Sequence, residues 1–161
     1  EAMSQLIAEG LLEKRENRRV YVVELDGKQL NMLRRFRAII ESGAAYFAAL
    51  NKSEEDLQRL RDFIDEHRFL VEREYWEGVA KADERFHRTI VEASRNPMII
   101  EAYDRSKIRL RIALSKDPVQ NEMEKTIPEH SSIVLSIERG DAEKAKNLVW
   151  KHLICKEENN D

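Results

Sequence analysis

The sequence predicts an all-α fold, an antiparallel bundle of six or seven helices that follows a short region of a different kind. Helix-favouring Glu, Lys, Arg, Leu and Ala are abundant in the 161 residues, which include only 5 Gly and 3 Pro. Apolar residues recur in alternating steps of three and four, the spacing of a helix that faces a core. The length suits one domain with at most part of a second.

Charge and cysteine content exclude several classes of protein. The 28 basic and 31 acidic residues nearly balance at a net charge of −3, so the chain has no bulk affinity for polyanions. No apolar run approaches the roughly 20 residues of a membrane-spanning helix, and no signal peptide is visible. The single cysteine, Cys155, excludes an internal disulfide and suits a reducing compartment. We therefore expect a cytoplasmic protein without a membrane partner.

Residues 1–26 differ from the rest of the chain. A helix is predicted to end at Gly10, and two strand-like segments follow, separated by a basic polar stretch. The second segment, residues 20–25, is rich in the β-branched and aromatic side chains that strands favour. A helix and then a hairpin with Arg18 and Arg19 at its tip are typical of the end of a winged helix-turn-helix, although an ordinary surface hairpin gives the same pattern. Because the chain begins inside this helix, the front of such a domain is expected to be missing.

The bundle is predicted to begin with a helix over residues 29–50. The residues of its inward stripe lie at core spacing and are Leu30, Leu33, Arg37, Ile40, Ala44 and Phe47. An arginine in this stripe has two interpretations. Arg37 either pairs with Glu41 one turn later or extends to the surface. Alternatively, its guanidinium lines a cavity and binds a carboxylate.

Caps and helix breakers predict the five remaining helices. Ser53 is a suitable N-cap for the second helix, with Asp56 three residues later in a near capping box. The third helix is expected to end near residues 96–97, because proline disfavours helix at the preceding residue. The later helices are expected over about 98–115, from Asp117 with a restart at Pro128, and from Asp141 to about Lys156.

Asp83 and His87 lie four residues apart in the third helix, so their side chains share one face. The rest of that face is apolar and includes Val79, Phe86 and Ile90. A carboxylate and an imidazole that point into a core need partners, because a buried unpaired polar group is costly. Two inward residues of this kind, one turn apart, form half of a metal site.

His130 and His152 are candidates for the other half. They lie 22 positions apart, and the midpoint between them is residue 141, at the expected turn between the last two helices. Antiparallel helices rise from that turn at about 1.5 Å per residue, so both histidines are expected at one level. Both also lie on apolar stripes and can face the same interior.

Three imidazoles and one carboxylate suit one divalent transition metal. Zinc is the first choice, and nickel, cobalt, iron and manganese also accept this ligand set, whereas calcium and magnesium prefer oxygen ligands. The competing interpretation is that each histidine is a hydrogen-bonded core residue. His67 is an example of such a core histidine, since His67 also lies on an apolar stripe and has no assigned partner.

Several short motifs follow one another in a specific order. They are 37–41 (RAIIE), 44–49 (AAYFAA), 83–87 (DERFH), 93–96 (ASRN), 129–130 (EH), 139–145 (RGDAEKA) and finally His152. Together they resemble the C-terminal effector-binding domain, the FCD domain, of GntR-type bacterial transcription regulators of the FadR subfamily. Residues 6–23 resemble the end of the recognition helix and the wing of that family's DNA-binding domain. The resemblance divides the chain into residues 1–26, a truncated winged helix-turn-helix, and residues 27–161, the effector-binding helical domain.

The resemblance implies a ligand-responsive regulator rather than an enzyme. In the metal-binding members of the family, an Asp, a His one turn later and two further His hold the ion. These positions fall here on Asp83, His87, His130 and His152. A small organic acid is typically bound at the metal, and the arginine of the first helix, Arg37, is the candidate for its carboxylate.

The implied partners are operator DNA, contacted by Arg18 and Arg19 in the full-length protein, a small carboxylic-acid effector, and a second copy in a homodimer. The alternative is a helical metalloenzyme that acts on a small carboxylate. Against it, His67 is the only candidate general base, and the paired Glu-x-x-His motifs of a di-iron site are lacking.

Overall fold

The computed structural model describes residues 2–8, 11–16, 18–114 and 126–154. Within these residues the chain forms seven helices and one two-stranded sheet. They are α1 (Ala2–Ala8), β1 (Leu12–Lys14), β2 (Val20–Val22), α2 (Gly27–Asn51), α3 (Glu54–Glu72), α4 (Trp76–Ala93), α5 (Pro97–Leu114), α6 (Thr126–Glu138) and α7 (Ala142–Ile154). The six helices predicted for the bundle correspond to α2–α7, which confirms the all-α class.

The N-terminal region forms the predicted hairpin. β1 and β2 pair antiparallel, with Leu12 opposite Val22. The turn is closed by two backbone hydrogen bonds: the Arg15 N–H donates to the Arg19 carbonyl, and the Arg18 N–H donates to the Arg15 carbonyl. Arg18 has a φ of 62°, in the left-handed region, and both Arg18 and Arg19 are exposed at the tip. The predicted helix end at Gly10 lies outside the described residues.

The longest helix, α2, begins at a capping box in which Asp26 and Gln29 satisfy each other's backbone N–H groups. It packs against α4, α5, α6 and α7. Its buried residues are mostly small: Ala38, Glu41, Ser42, Ala44, Ala45, Ala48 and Ala49. The inward position predicted for Ala44 is confirmed, but that for Phe47 is wrong, since its side chain is 40% exposed. The alanines let the neighbouring helices approach closely, which turns the larger apolar side chains of α2 outward.

Caps and breakers end the other helices near the expected positions. Ser53 and Asp56 form the capping box of α3. Pro128 lies in the first turn of α6, where a backbone N–H is not needed. The turn between α6 and α7 contains Gly140 with a φ of 72°, a conformation that favours glycine. The predicted helix start at Asp117 and the predicted helix end at Lys156 lie outside the described residues.

The core lies among α2, α3, α4, α6 and α7. Its large buried side chains include Leu60, Phe63, Phe86, Ile90, Ile133, Ile137 and Val149. Four histidines are buried within this apolar cluster. The Phe86 and Phe63 rings pack on the His130 ring, with centroid separations of 4.4 and 5.2 Å. In the described part of the chain, no helix has both the length and the apolar character needed to cross a membrane.

Candidate metal centre

The structure brings four predicted ligands together from three helices. Asp83 and His87 lie one turn apart on α4, His130 lies on α6, and His152 lies on α7. We call these four residues the Asp–His cluster. Its three imidazoles are buried, while the Asp83 side chain is 20% exposed. The expectation that His130 and His152 stand at one level across the α6–α7 turn is met.

The ligand atoms of the cluster face one another. His130 Nε2 lies 3.1 Å from His152 Nε2 and 3.4 Å from Asp83 Oδ1. His87 Nε2 lies 3.8 Å from Asp83 Oδ2. One ligand atom from each residue can be chosen so that all four lie within 4.8 Å of one another. The spacing suits a shared ion better than direct hydrogen bonding, because several imidazole nitrogens converge on one point.

Each imidazole also has a partner for the nitrogen that points away from the cluster centre. His87 Nδ1 lies 2.5 Å from Glu41 Oε2, and His152 Nδ1 lies 2.6 Å from Glu129 Oε2. His130 Nδ1 lies 3.3 Å from His67 Nδ1. We call Glu41, Glu129 and His67 the outer partners. The contacts of His152 and His130 are hydrogen bonds, whereas that of His87 with Glu41 is a close approach without hydrogen-bond geometry. Metal-binding histidines almost always donate their second N–H to such a partner, which orients the ring and leaves Nε2 with its lone pair.

Glu41 is held ionised inside the bundle. Burial alone would raise the pKa of Glu41, but the positive charge of Arg37 and the nearby His87 lower this pKa to about 2. Arg37 lies one turn before Glu41 on α2 and donates its Nε–H to the carboxylate. Burial acts to lower the pKa of Arg37 and Glu41 acts to raise it, with a net rise above the ordinary value. The two residues form a buried ion pair beside the Asp–His cluster.

His130 is suited to bind a metal because it is neutral. Burial lowers the pKa of His130 far below its ordinary value of 6.5, and the attraction of Asp83 does not compensate. His87 Nε2 is buried and makes no hydrogen bond within the described part of the chain. Metal ligands must be deprotonated at the binding atom, and a neutral imidazole at His130 can meet this condition. The donor set therefore fits a divalent transition metal that accepts three imidazoles and a carboxylate.

Arg37 pairs with Glu41, as the first of its two interpretations expects, but it also adjoins the cluster. Its side chain is 20% exposed, and the groups whose charges act on it include Tyr103 and Asp83. Tyr103 is buried, and burial together with Glu41 raises the pKa of its phenol, so the hydroxyl keeps its proton. The charge of Asp83 acts on the pKa of both Arg37 and Tyr103.

The outer partners are the residues that sequence reasoning missed. Glu41 was considered only as a partner of Arg37, and Glu129 was noted only as the residue before His130. One signal could have found Glu129: it lies 23 positions before His152, so it stands at nearly the same level across the turn. For His67 the sequence suggests only a core position or the general base of the alternative metalloenzyme, because nothing in the spacing of α3 indicates which histidine it meets.

The hairpin tip and two surface cavities are separate from the Asp–His cluster. Arg18 and Arg19 lie on the hairpin and are not brought to it. Two surface cavities are lined by other residues, one by Arg95 and its neighbours and one by Tyr75 and its neighbours. The Asp–His cluster therefore faces the interior of the bundle rather than either cleft.

Comparison with known proteins identifies the family. Residues 32–154 match the FCD domain family. The Uxu operon transcriptional regulator of Escherichia coli (strain K12) is 28% identical over 180 aligned residues, which cover 95% of this chain and 67% of that protein. The probable D-xylose utilization operon transcriptional repressor of Paenarthrobacter nicotinovorans is 27% identical over 155 residues, which cover 96% of this chain and 68% of that protein.

Solved structures show the same fold. E. coli McbR/YncC superposes with a TM-score of 0.84 at 18% sequence identity, covering 99% of this chain and 83% of that one. The chain spans about two thirds of the length of the curated relatives. These relatives are named as transcription regulators, in agreement with the expectation of a regulator rather than an enzyme. The family assignment is supported by the matched domain, the curated relatives and the shared fold. This chain belongs to the FCD-domain family, in the GntR type of transcription regulators.

Proposed function

We propose that the chain is the ligand-responsive part of a bacterial transcription regulator, in which the Asp–His cluster binds one divalent transition metal. The observation that carries the proposal is the convergence of four ligand atoms within 4.8 Å, with an outer partner on the second nitrogen of every imidazole. Zinc fits this donor set first, and nickel, cobalt, iron and manganese are the other candidates.

The charges around the cluster explain why an acidic effector would need the metal. Asp83, Glu41 and Glu129 are carboxylates, and Arg37 carries one positive charge. Without an ion this group has a net charge of about −2 and repels an anion. A divalent ion neutralises this charge and supplies a centre that accepts a carboxylate oxygen. Small carboxylic acids are therefore the effector class that the site favours.

Arg37 is the candidate contact for the effector carboxylate. A guanidinium has five N–H donors in a planar fork that matches a carboxylate. The bond to Glu41 uses the Nε–H, so the ion pair positions Arg37 and does not exhaust its donors. Glu41 would then have two roles, because it orients both Arg37 and His87.

For DNA binding, we propose that residues 1–26 are the C-terminal part of a winged helix-turn-helix and residues 27–161 the effector-binding domain. Arg18 and Arg19 at the exposed hairpin tip would contact phosphate or the minor groove of operator DNA. A homodimer matches a two-fold operator. Effector binding would then be coupled to the placement of the two DNA-binding domains.

The metal proposal is tested by elemental analysis of the untagged chain, purified without added metal. His130→Ala and His152→Ala remove ligands, and Ser136→Ala, at a buried position on α6 outside the cluster, is the matched control. About one equivalent of a transition metal is expected in the parent and in Ser136→Ala, and none in the two histidine variants. A metal-free parent whose melting temperature does not respond to added zinc or nickel would reject the proposal.

The effector proposal is tested by thermal shift with a panel of small hydroxy and dicarboxylic acids. An acid is expected to raise the melting temperature of the zinc-loaded protein and not of the EDTA-treated protein. Arg37→Met should keep the metal and lose this response, whereas Arg61→Met, which removes an exposed arginine of α3, should keep both. An acid response that is equal without metal would contradict the charge argument.

The wing proposal is tested in a chain that carries a complete winged domain. Arg18→Ala and Arg19→Ala are each expected to weaken binding to all duplexes alike. Each lost phosphate contact should reduce the slope of log affinity against log salt by about 0.9. Fluorescence anisotropy over a range of salt concentrations measures this slope. An unchanged slope in both variants would show that the hairpin tip does not contact phosphate.

A further inference from the structure

The outward face of α2 carries a continuous apolar stripe. Phe36, Ile39, Phe47 and Leu50 are 43, 57, 40 and 57% exposed, and Gly43 lies in the middle. We call these five residues the α2 stripe. Their spacing of three and four residues places them on one side of the helix. The opposite side of α2 is the alanine-rich face that packs in the core.

The α2 stripe is symmetric about Gly43. Ile39 and Phe47 lie four residues before and after it, and Phe36 and Leu50 lie seven residues before and after it. In a two-fold contact, the same surface of both subunits must be complementary to itself. Two antiparallel α2 helices that cross at Gly43 would place Ile39 against Phe47 of the partner subunit and Phe36 against Leu50 of the partner subunit. Apolar side chains thus meet apolar side chains along the whole stripe.

The packing within one chain does not explain Gly43. Glycine in a helix interior costs about 1 kcal/mol relative to alanine, and a Cβ atom added at Gly43 would meet no atom of the described residues within 4 Å. Its φ is not in the left-handed region, so no special backbone conformation requires it. A glycine does allow another backbone to approach closely. The crossing point of two helices is where such an approach is needed.

The exposed apolar area is large enough for the centre of an interface with a second copy. The four large side chains of the stripe, with Met32 one turn before them, expose on the order of 500 Å² of mainly apolar surface. That is near the upper end of the largest apolar patch on a typical monomer. A standard interface buries roughly 800 Å² on each partner, so this stripe could form its apolar centre. Exposed polar residues, including Asn31, Arg35 and Asn51, border it as a rim.

We propose that the α2 stripe is the dimer interface of this protein, with two antiparallel α2 helices crossing on a two-fold axis at Gly43. The α2 stripe would be the contact surface of the homodimer in the proposed function, and this contact does not depend on the metal. It has a consequence for signalling, because α2 carries Arg37 and Glu41 at the candidate effector site as well as the stripe. A shift of α2 caused by effector binding would act directly on the subunit contact.

The first test is the mass of the 161-residue chain by multi-angle light scattering, with and without EDTA. The parent is expected at about 38 kDa, twice the 18.9 kDa of one chain, under both conditions. Gly43→Gln should run as a folded monomer with an unchanged helical circular dichroism signal, because glutamine favours helix and meets no atom of the described residues there. Phe69→Gln, at a 52% exposed phenylalanine on α3, is the matched control and should remain dimeric.

The second test examines the orientation of the helices. Phe36→Cys and Leu50→Cys are made separately in a Cys155→Ser background. Under oxidation, a mixture of the two proteins should form a disulfide-linked dimer, while each protein alone should not. A monomeric parent, or a dimer that persists in both Gly43→Gln and Ile39→Gln, would overturn the proposal. So would efficient cross-linking of either single-cysteine protein with itself, which indicates parallel helices. None of these readouts requires bound metal, so their results do not depend on whether the Asp–His cluster binds an ion.

Discussion

The Nδ1 atoms of His67 and His130 lie 3.3 Å apart in the core. One of these nitrogens must donate a proton and the other must accept it. His130 directs Nε2 at Asp83 and His152. If His130 holds the proposed metal through Nε2, its proton lies on Nδ1 and His67 accepts it. His67 would then do for His130 what carboxylates do for the other two imidazoles, and a neutral acceptor would make His130 a less basic ligand than a carboxylate would.

The first prediction concerns the role of His67. His67→Leu should keep one metal per chain but weaken its affinity about 10- to 100-fold, because His130 loses the acceptor that orients it. His67→Gln offers an amide oxygen and should lose less. Competition with a zinc chelator measures both affinities. An equal loss in the two variants would indicate a packing defect rather than a lost hydrogen bond.

The second prediction concerns metal removal. Metal that binds only the folded chain stabilises it by about 2.7 kcal/mol when present at 100 times its dissociation constant. For a chain of this length, EDTA is then expected to lower the melting temperature by roughly 5–10 °C. Scanning calorimetry gives the shift, and re-addition of zinc should reverse it. His152→Ala should show neither effect; a His152→Ala protein that responds like the parent would place the ion elsewhere.

The third prediction concerns the Arg37–Glu41 pair. Glu41→Gln leaves the Arg37 guanidinium buried without its carboxylate, which should cost about 3–5 kcal/mol of unfolding free energy. Arg37→Met combined with Glu41→Gln removes both charges, so the double variant should be more stable than Glu41→Gln alone. Urea unfolding of EDTA-treated proteins makes this comparison without interference from metal. If the double variant is less stable than Glu41→Gln, the two residues do not act as a buried pair.

The fourth prediction concerns pH. Glu92 accepts hydrogen bonds from Arg59 and Arg88 at 2.9 and 2.8 Å. Burial alone would raise the pKa of Glu92, but the two arginines lower it below the ordinary value of 4.5. A lowered pKa stabilises the fold above pH 4.5, and this contribution is lost as the pH falls through the folded pKa. Glu92→Gln should therefore destabilise the chain by about 0.5–1 kcal/mol at pH 7, and the difference should vanish in acid.

Glu77→Gln is the matched control for this pH dependence. Glu77 forms an exposed pair with Lys81 at 2.7 Å, and water screens such a pair. Its substitution should change the unfolding free energy less than that of Glu92. A Glu92→Gln variant whose destabilisation is the same at pH 3 and pH 7 would show that lost packing, not charge, is responsible.

Much of the candidate site could be predicted because local spacing controls it. Asp83 and His87 share a helix face at any position of that helix in the bundle. His130 and His152 meet because a short turn joins two antiparallel helices. The number of residues between each histidine and that turn therefore predicts that both lie at the same height along the helices. The outer partners were not predictable in the same way. Glu41 and His67 reach their histidines across helix pairs whose rotation and offset depend on the packing of many side chains.

The outward face of α2 could not be predicted from spacing either. Periodicity indicated that this helix has an apolar face, but α2 has apolar residues on two sides, and spacing does not reveal which side is buried. Phe47 was expected inside and lies outside, because closely approaching neighbours leave room only for alanines there.

The sequence by itself determined the helical class, the order of the helices, the hairpin before them and the four residues of the Asp–His cluster. These features depend on composition, on helix caps and on spacing within a helix or across one short turn, all of which are local. Spacing within α2 also allows the pair of Arg37 and Glu41, and the tertiary structure decided only that this pair forms. Only the tertiary structure decided the outer partners and the outward position of the α2 stripe. These two features arise from contacts between helices, and close packing selects one arrangement of those contacts from many that the same periodicity allows.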